Sequence, residues 1–277
     1  MHRWLTTMLL HTDVRLVYAF AAVFVIPPCL ILRKSARYSW SYFRKCCNYG
    51  VITSLWKVYL NHYLFAESVI DKFAMYAGRK FKTEVVGYEH YLELQDKPEA
   101  FVQLSAHIGN YEIAGYTLIA KNKRFNALVY GGEKESVMQN REKMFAETNI
   151  RILPIMPDMS HLFAMNEALA NGEVLSMPAD RVFGSKRTIT ATLLGGSIEL
   201  PLGPFSVPTL RNSKVLAVNV MKTSRVGYTI YVTPLRYDIN AARSEKIRQL
   251  ADAWTSETDR MLHIYPEQWY NFYEFWK

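Results

Sequence analysis

Phe101-Val-Gln-Leu-Ser-Ala-His107-Ile-Gly-Asn110-Tyr-Glu112-Ile-Ala-Gly-Tyr-Thr-Leu118 is the stretch on which the reading of this chain turns. The apolar run from Phe101 to Ala106 stops at a histidine, and Ile113, Ala114, Thr117 and Leu118 then recur at helical spacing. A short bounded run of this kind predicts a buried strand, and the recurrence predicts a helix directly after it. His107 is thereby placed at the carboxyl end of a strand, the edge at which open α/β sheets bind ligands. The first turn of the following helix offers unpaired N–H groups to negative charge. Histidine takes up a proton near neutral pH, and a carboxylate on its second ring nitrogen fixes the tautomer and stabilises the imidazolium. Glu112 is the candidate for that carboxylate. On one continuous helix the two side chains would diverge by about 140°, so the pair requires His107 to lie on the turn before the helix.

Composition sets the outer limits. A chain of 277 residues with 50% apolar and 21% charged residues buries a large single core. Cys29, Cys46 and Cys47 are odd in number and lack metal-ligand spacing, so no disulfide framework and no metal site is expected. The excess of 33 Lys and Arg over 25 Asp and Glu gives +8, which favours an anionic partner: nucleic acid, anionic lipid or an acidic carrier protein. Eighteen Tyr, fourteen Phe and six Trp suit either a core or a membrane–water boundary.

Between Arg15 and Arg33 no residue is charged. A helix over those 17 residues would span about 26 Å, marginal against roughly 30 Å of bilayer hydrocarbon. Pro27-Pro28 is expected to end or kink it. Arg33, Lys34, Arg37, Arg44 and Lys45 follow, interleaved with Tyr38, Trp40, Tyr42 and Phe43, as in a segment lying against an anionic leaflet. Residues 1–50 are therefore set apart as a membrane-associated helical segment, and 51–277 as one folded domain. In that domain one or two covering helices over 51–77 precede strands predicted at Lys82–Gly87, Phe101–Ala106, Phe125–Tyr130, Ile150–Ile155 and Val174–Met177. A helix is predicted between Gly132 and Asn149 and another over Ser160–Ala170. This alternation predicts an α/β fold with a largely parallel central sheet flanked by helices. Thr188–Leu194, a Pro/Gly-rich loop near 201–205, strands at Val215–Val220 and Tyr228–Leu235, and a helix from Ala241 to His263 complete the chain. Asp180-Arg181 follows its strand as His107 follows its own, so both ends are expected at one crevice. Arginine's planar donors suit phosphate or carboxylate, with Asp180 to hold it.

In this setting His107, four residues and Glu112 resemble the His-x4-Asp/Glu motif of the late lipid A acyltransferases, the lauroyl and myristoyl transferases of lipid A assembly. Ala179-Asp180-Arg181 is similar to their Ala-Asp-Gln/Arg turn, and Pro266-Glu267-Gln268-Trp269 to their ending. The resemblance runs in order through nearly the whole chain. It departs in Arg181 for glutamine and in Tyr273-Glu274-Phe275-Trp276 at the terminus, which points to a divergent branch. It implies a glycerolipid acyltransferase-like fold at the cytoplasmic face of the inner membrane. The implied reaction moves an acyl chain from a thioester on acyl carrier protein or coenzyme A to a hydroxyl of a lipid A precursor or a related glycolipid or aminolipid. His107 is the implied general base and Glu112 its orienter. N–H groups near Gly109 and Asn110 are implied for the oxyanion, and Asp180 and Arg181 for substrate binding. No metal or cofactor is required. Partners would be the acidic carrier, the lipid acceptor and the anionic leaflet.

Other chemistries lack their signatures. No Gly-x-Ser-x-Gly elbow and no His-Glu-x-x-His occurs, and the basic residues are spread without a nucleic-acid-binding motif. A non-enzymatic lipid-binding protein on a retired acyltransferase fold is the alternative from a different class.

Overall fold

The strand Phe101–Ser105 is buried at all but its last residue and lies at the middle of a seven-stranded sheet. The structure, a computed structural model, describes Leu9 and residues 11–118, 122–132, 149–156, 160–182 and 187–276. The strands are β1 (Lys82–Val86), β2 (Phe101–Ser105), β3 (Phe125–Tyr130), β4 (Ile150–Ile155), β5 (Val174–Pro178), β6 (Thr188–Leu193), β7 (Gly196–Pro201), β8 (Lys214–Ser224) and β9 (Gly227–Leu235). The large sheet runs β1-β9-β8-β2-β5-β3-β4, and β6 and β7 form a separate antiparallel hairpin. Every neighbouring pair in the large sheet is parallel except β8–β9. The largely parallel α/β sheet expected from the alternation is thus observed. The helix expected between Gly132 and Asn149 lies outside the described residues.

Parallel strands buried on both faces need apolar side chains at successive positions, and β2 supplies them. Val102 and Leu104 enter one core cluster, with Phe205, Leu250 and Trp254, while Phe101 enters the other, with Tyr91, Val218 and Ile230. The period-two alternation of a strand thus builds a core on each side of the sheet.

The helices are α1 (Val14–Phe20), α2 (Ile26–Leu32), α3 (Ser35–Ser41), α4 (Val51–Tyr76), α5 (Tyr88–Gln95), a single turn α6 (Ala114–Thr117), α7 (Ser160–Ala170), α8 (Gly203–Leu210) and α9 (Arg243–Ile264). The Pro/Gly-rich stretch read as a loop becomes α8. Its Pro204 sits in the first turn, where a missing N–H is harmless. Helix α9 buries Ile247, Leu250, Ala251, Trp254, Thr258, Met261 and Leu262 along one stripe, as the spacing predicts.

Pro27-Pro28 does not end the N-terminal helix. Residues 21–25 widen into a π-helical turn in which Ile26 N–H bonds to Ala21 carbonyl, and the helix resumes through Leu32. The widened turn absorbs both the missing donors and the bulk of the rings. Val14–Leu32 is long and apolar enough to cross a membrane, with mean hydropathy 2.1 and 22% of it buried. It is pinned along α4 by Tyr18 OH, which donates to Asp71, and by Tyr59 OH, which donates to the Ala22 carbonyl at 3.1 Å, and α3 is held there by Ser39, which donates to Asn61 at 2.8 Å. Leu16, Phe20, Val23, Phe24, Ile31 and Leu32 remain exposed, as do Val51, Ile52, Leu55 and Trp56 at the start of α4.

Candidate active site

Sheet register decides which side chains meet. β2 and β5 are parallel neighbours with Ser105 opposite Pro178, so His107 and Asp180, each two residues further on, leave the sheet side by side. Ala179 N–H continues the ladder to the Ser105 carbonyl at 2.9 Å. His107 Nδ1 lies 2.7 Å from Asp180 Oδ1, and the His107 backbone N–H donates to Oδ2 at 2.9 Å. A carboxylate only accepts, so Nδ1 carries the proton and Nε2 presents its lone pair. Among the described residues Nε2 has no hydrogen-bond partner, and the His107 side chain is 20% exposed against 0% for Asp180. Burial opposes ionisation of Asp180. Attraction to His107 in its protonated form and the bonds from His107 and Asn271 outweigh burial, and hold the carboxyl at about 2. The ring stands edge-on to Tyr111, with centroids 5.5 Å apart.

The loop after His107 is clamped on both sides. Tyr270 N–H donates to the His107 carbonyl at 3.1 Å, Gly109 N–H to Gln268 carbonyl at 2.9 Å, and Asn110 N–H to Val220 carbonyl at 2.8 Å. Gly109 has φ +58°, and a Cβ there would stand 1.9 Å from the Val220 carbonyl oxygen, so only glycine fits. These bonds overturn one expectation from the sequence. The N–H groups of Gly109 and Asn110 are consumed by carbonyls and are not offered to an oxyanion. The Asn110 side chain is buried too, its amide directed at the Ser68 carbonyl and Tyr228 OH.

The carboxylate on His107 is also not the expected one. His107 does precede its helix, as the pairing required, but Gly109 turns the chain. Glu112 lands on the 3₁₀ turn Tyr111–Ile113 and faces α4, where Lys72 forms an ion pair with it and Tyr76 OH donates at 2.6 Å. Asp180 takes the position assigned to Glu112.

Arg181 is half-buried. Its Nε donates to Asn271 Oδ1 at 2.7 Å and its terminal NH₂ to the Tyr270 carbonyl at 3.2 Å, while Asn271 Nδ2 donates to Asp180 Oδ2 at 2.8 Å. Asn271 went unnoticed in the sequence. Its signal was position, three residues after Gln268 in the terminal run. Gln268 has a structural task, since its amide exchanges two 2.8 Å hydrogen bonds with the Lys222 backbone. Arg181, Val182, Glu199, Tyr273, Glu274 and Phe275 line a pocket of about 360 Å³ beside this array. Among the described residues no group of His, Cys, Asp and Glu could hold a metal ion.

A parallel-sheet α/β protein with a carboxylate-held histidine at its strand ends has the parts of a group-transfer enzyme. The bacterial lipid A biosynthesis acyltransferase family matches residues 65–277, and the chain belongs to that family and is an acyltransferase. Among solved structures, the 1-acyl-sn-glycerophosphate (LPA) acyltransferase PlsC from Thermotoga maritima aligns over 97% of each chain, at 13% identity and a TM-score of 0.41. Curated proteins give no match.

Proposed function

We propose that the protein transfers a fatty acyl chain from a thioester, on acyl carrier protein or coenzyme A, to a hydroxyl of a membrane lipid: a lipid A precursor or a related glycolipid or aminolipid. The observation that carries this reading is the His107 Nδ1–Asp180 contact at 2.7 Å, which leaves Nε2 for the acceptor. In the reaction Nε2 takes the proton of the acceptor hydroxyl as its oxygen attacks the thioester carbonyl. The tetrahedral adduct collapses with cleavage of the C–S bond, and the imidazolium returns the proton to the departing thiolate. Asp180 stabilises the transient imidazolium and keeps the ring from turning.

The exposed apolar side chains of residues 16–32 and of Val51, Ile52, Leu55 and Trp56 form the membrane-facing part, with Arg33, Lys34 and Arg37 toward anionic headgroups. This orientation presents the enzyme to lipid acceptors at the cytoplasmic face of the inner membrane. The test is lipid mass spectrometry of deletion cells complemented with wild type or His107→Ala. Restoration of the acylated lipid by wild type only is expected. Full restoration by the alanine variant refutes the assignment.

A further inference from the structure

We propose that Asn271 and Arg181 are positioning residues of the transfer reaction, a clamp that fixes the rotamer of Asp180 and through it the ring of His107, and that Arg181 is not a substrate ligand. The inference rests on His107 acting as the base. Its ground is the polarity of the array. An arginine side chain only donates hydrogen bonds and a carboxylate only accepts them. Asn271 stands between the two, taking a hydrogen bond from Arg181 Nε on its oxygen and giving one to Asp180 from its nitrogen. Arg181 therefore dictates which way the amide points, because a flipped amide would set donor against donor on one side and acceptor against acceptor on the other. With the amide so directed, Asp180 Oδ2 receives two donors, the His107 N–H and Asn271 Nδ2, and Oδ1 is left for His107 Nδ1.

The clamp closes where the chain ends. Ile108 and Trp269 form an antiparallel bridge, and Tyr270 N–H holds the His107 carbonyl. The second Arg181 bond, to the Tyr270 carbonyl, ties the same segment from its other side. Asn271 and Asp180 are 5% and 0% exposed, which keeps water from substituting for either partner. A guanidinium with its Nε and one terminal nitrogen committed to protein acceptors is placed to hold the terminal segment down. Among the described residues Asp180 is the carboxylate on the base, and through Asn271 it depends on a segment 91 positions away in sequence.

The experiment is steady-state kinetics on the purified full chain. Radiolabelled palmitoyl thioesters of coenzyme A and acyl carrier protein serve in parallel as donors, and vesicles of total lipid from deletion cells as acceptor. Loss of a hydrogen bond to a charged group predicts that N271L and R181A each lower kcat about ten- to a hundred-fold with KM changed by less than about two-fold. The double variant should be no slower than the slower single one, because Arg181 acts through Asn271. R181K should fall with R181A, since one ammonium cannot serve both Asn271 and Tyr270 with the geometry of the fork. R181K also carries the test if N271L does not fold, as judged by its thermal transition. The clamp is refuted if H107A is inactive while N271L turns over at the wild-type rate, or if R181A raises KM with kcat intact. Activity in H107A would instead overturn the base assignment itself.

Discussion

Asp180→Asn separates the electrostatic from the steric contribution of the histidine's partner, and the hydrogen-bond pattern dictates its outcome. Oδ2 of Asp180 receives two donors, the backbone N–H of His107 and the amide of Asn271, whereas among the described residues Oδ1 faces only His107 Nδ1. An asparagine at 180 must place its oxygen at the two-donor position, since the opposite choice sets NH₂ against two N–H groups. Its NH₂ then points at His107 Nδ1 and forces that nitrogen to accept. The ring proton moves to Nε2, and the lone pair needed to take the acceptor's proton is no longer presented. The analogous tautomer reversal in a serine-protease triad costs about 10⁴ in kcat, and a fall of that order is expected here. Stability changes in a defined pH window. The Asp180 carboxyl lies at about 2 in the fold against 3.8 in its absence, so its ionisation stabilises the protein above about pH 4 and that contribution disappears as pH falls toward 2. The difference corresponds to roughly 2 kcal/mol at neutral pH, an order-of-magnitude figure. Wild type should therefore lose stability between about pH 4 and pH 2 more steeply than D180N. Single-turnover transfer from a labelled thioester, with denaturant unfolding across that window, measures both. A D180N enzyme within about ten-fold of wild type in kcat would refute the tautomer argument.

Glu112→Gln, by contrast, should keep the greater part of wild-type turnover and lose about 1–2 kcal/mol of stability as the contacts of Lys72 and Tyr76 weaken; the same single-turnover and unfolding measurements check it. Gly109→Ala forces a Cβ to 1.9 Å from the Val220 carbonyl at a left-handed backbone angle. It should break the Asn110–Val220 bond and lower the thermal midpoint by well over the roughly 2 °C that about 1 kcal/mol produces in a chain of this size. Lys222→Met strips the cation from Asp71 and Glu67, which are 0% and 3% exposed. A loss of about 3–5 kcal/mol is expected from urea unfolding in detergent, against about 1 kcal/mol for Tyr18→Phe in the same network. Ile52→Glu with Trp56→Glu removes two exposed apolar anchors of 84% and 60% exposure; sedimentation with anionic vesicles should show at least about a ten-fold loss of partition.

The fold was legible because its determinants are local. The short bounded apolar runs at Phe101, Phe125, Ile150 and Val174 are strands as predicted, and those at Phe101 and Val174 are buried at nearly every position, as a central parallel strand must be. The stripe of α9 was equally plain, whereas the pattern over 51–77 fitted one or two helices and is a single helix, α4. Two places ran against local rules. Pro204 suggested a loop where a helix starts, and Pro27-Pro28 suggested a break where a π turn carries the helix on. In both cases the missing proline donor falls where the backbone has no use for it.

The site was legible to the extent that it lies on strand ends. His107 and Asp180 were each recognisable as residues that follow a short apolar strand. Only the adjacency of β2 and β5 turns that parallel into a 2.7 Å contact, and strand order is not encoded in either segment alone. Glu112 is the nearest carboxylate in sequence, and local spacing alone favours it as the partner. Sequence proximity misleads here for a physical reason. The residues after His107 must turn sharply to clear β8, and the turn at Gly109 carries Glu112 away toward α4, whereas the neighbouring strand delivers Asp180 along the direction His107 already faces. A carboxylate at the end of the adjacent parallel strand reaches the ring without bending the chain, and it is buried by the same sheet that positions the histidine. That common support makes Asp180 the better orienter, because one rigid sheet edge fixes both partners while Glu112 depends on a one-turn helix and a separate covering helix.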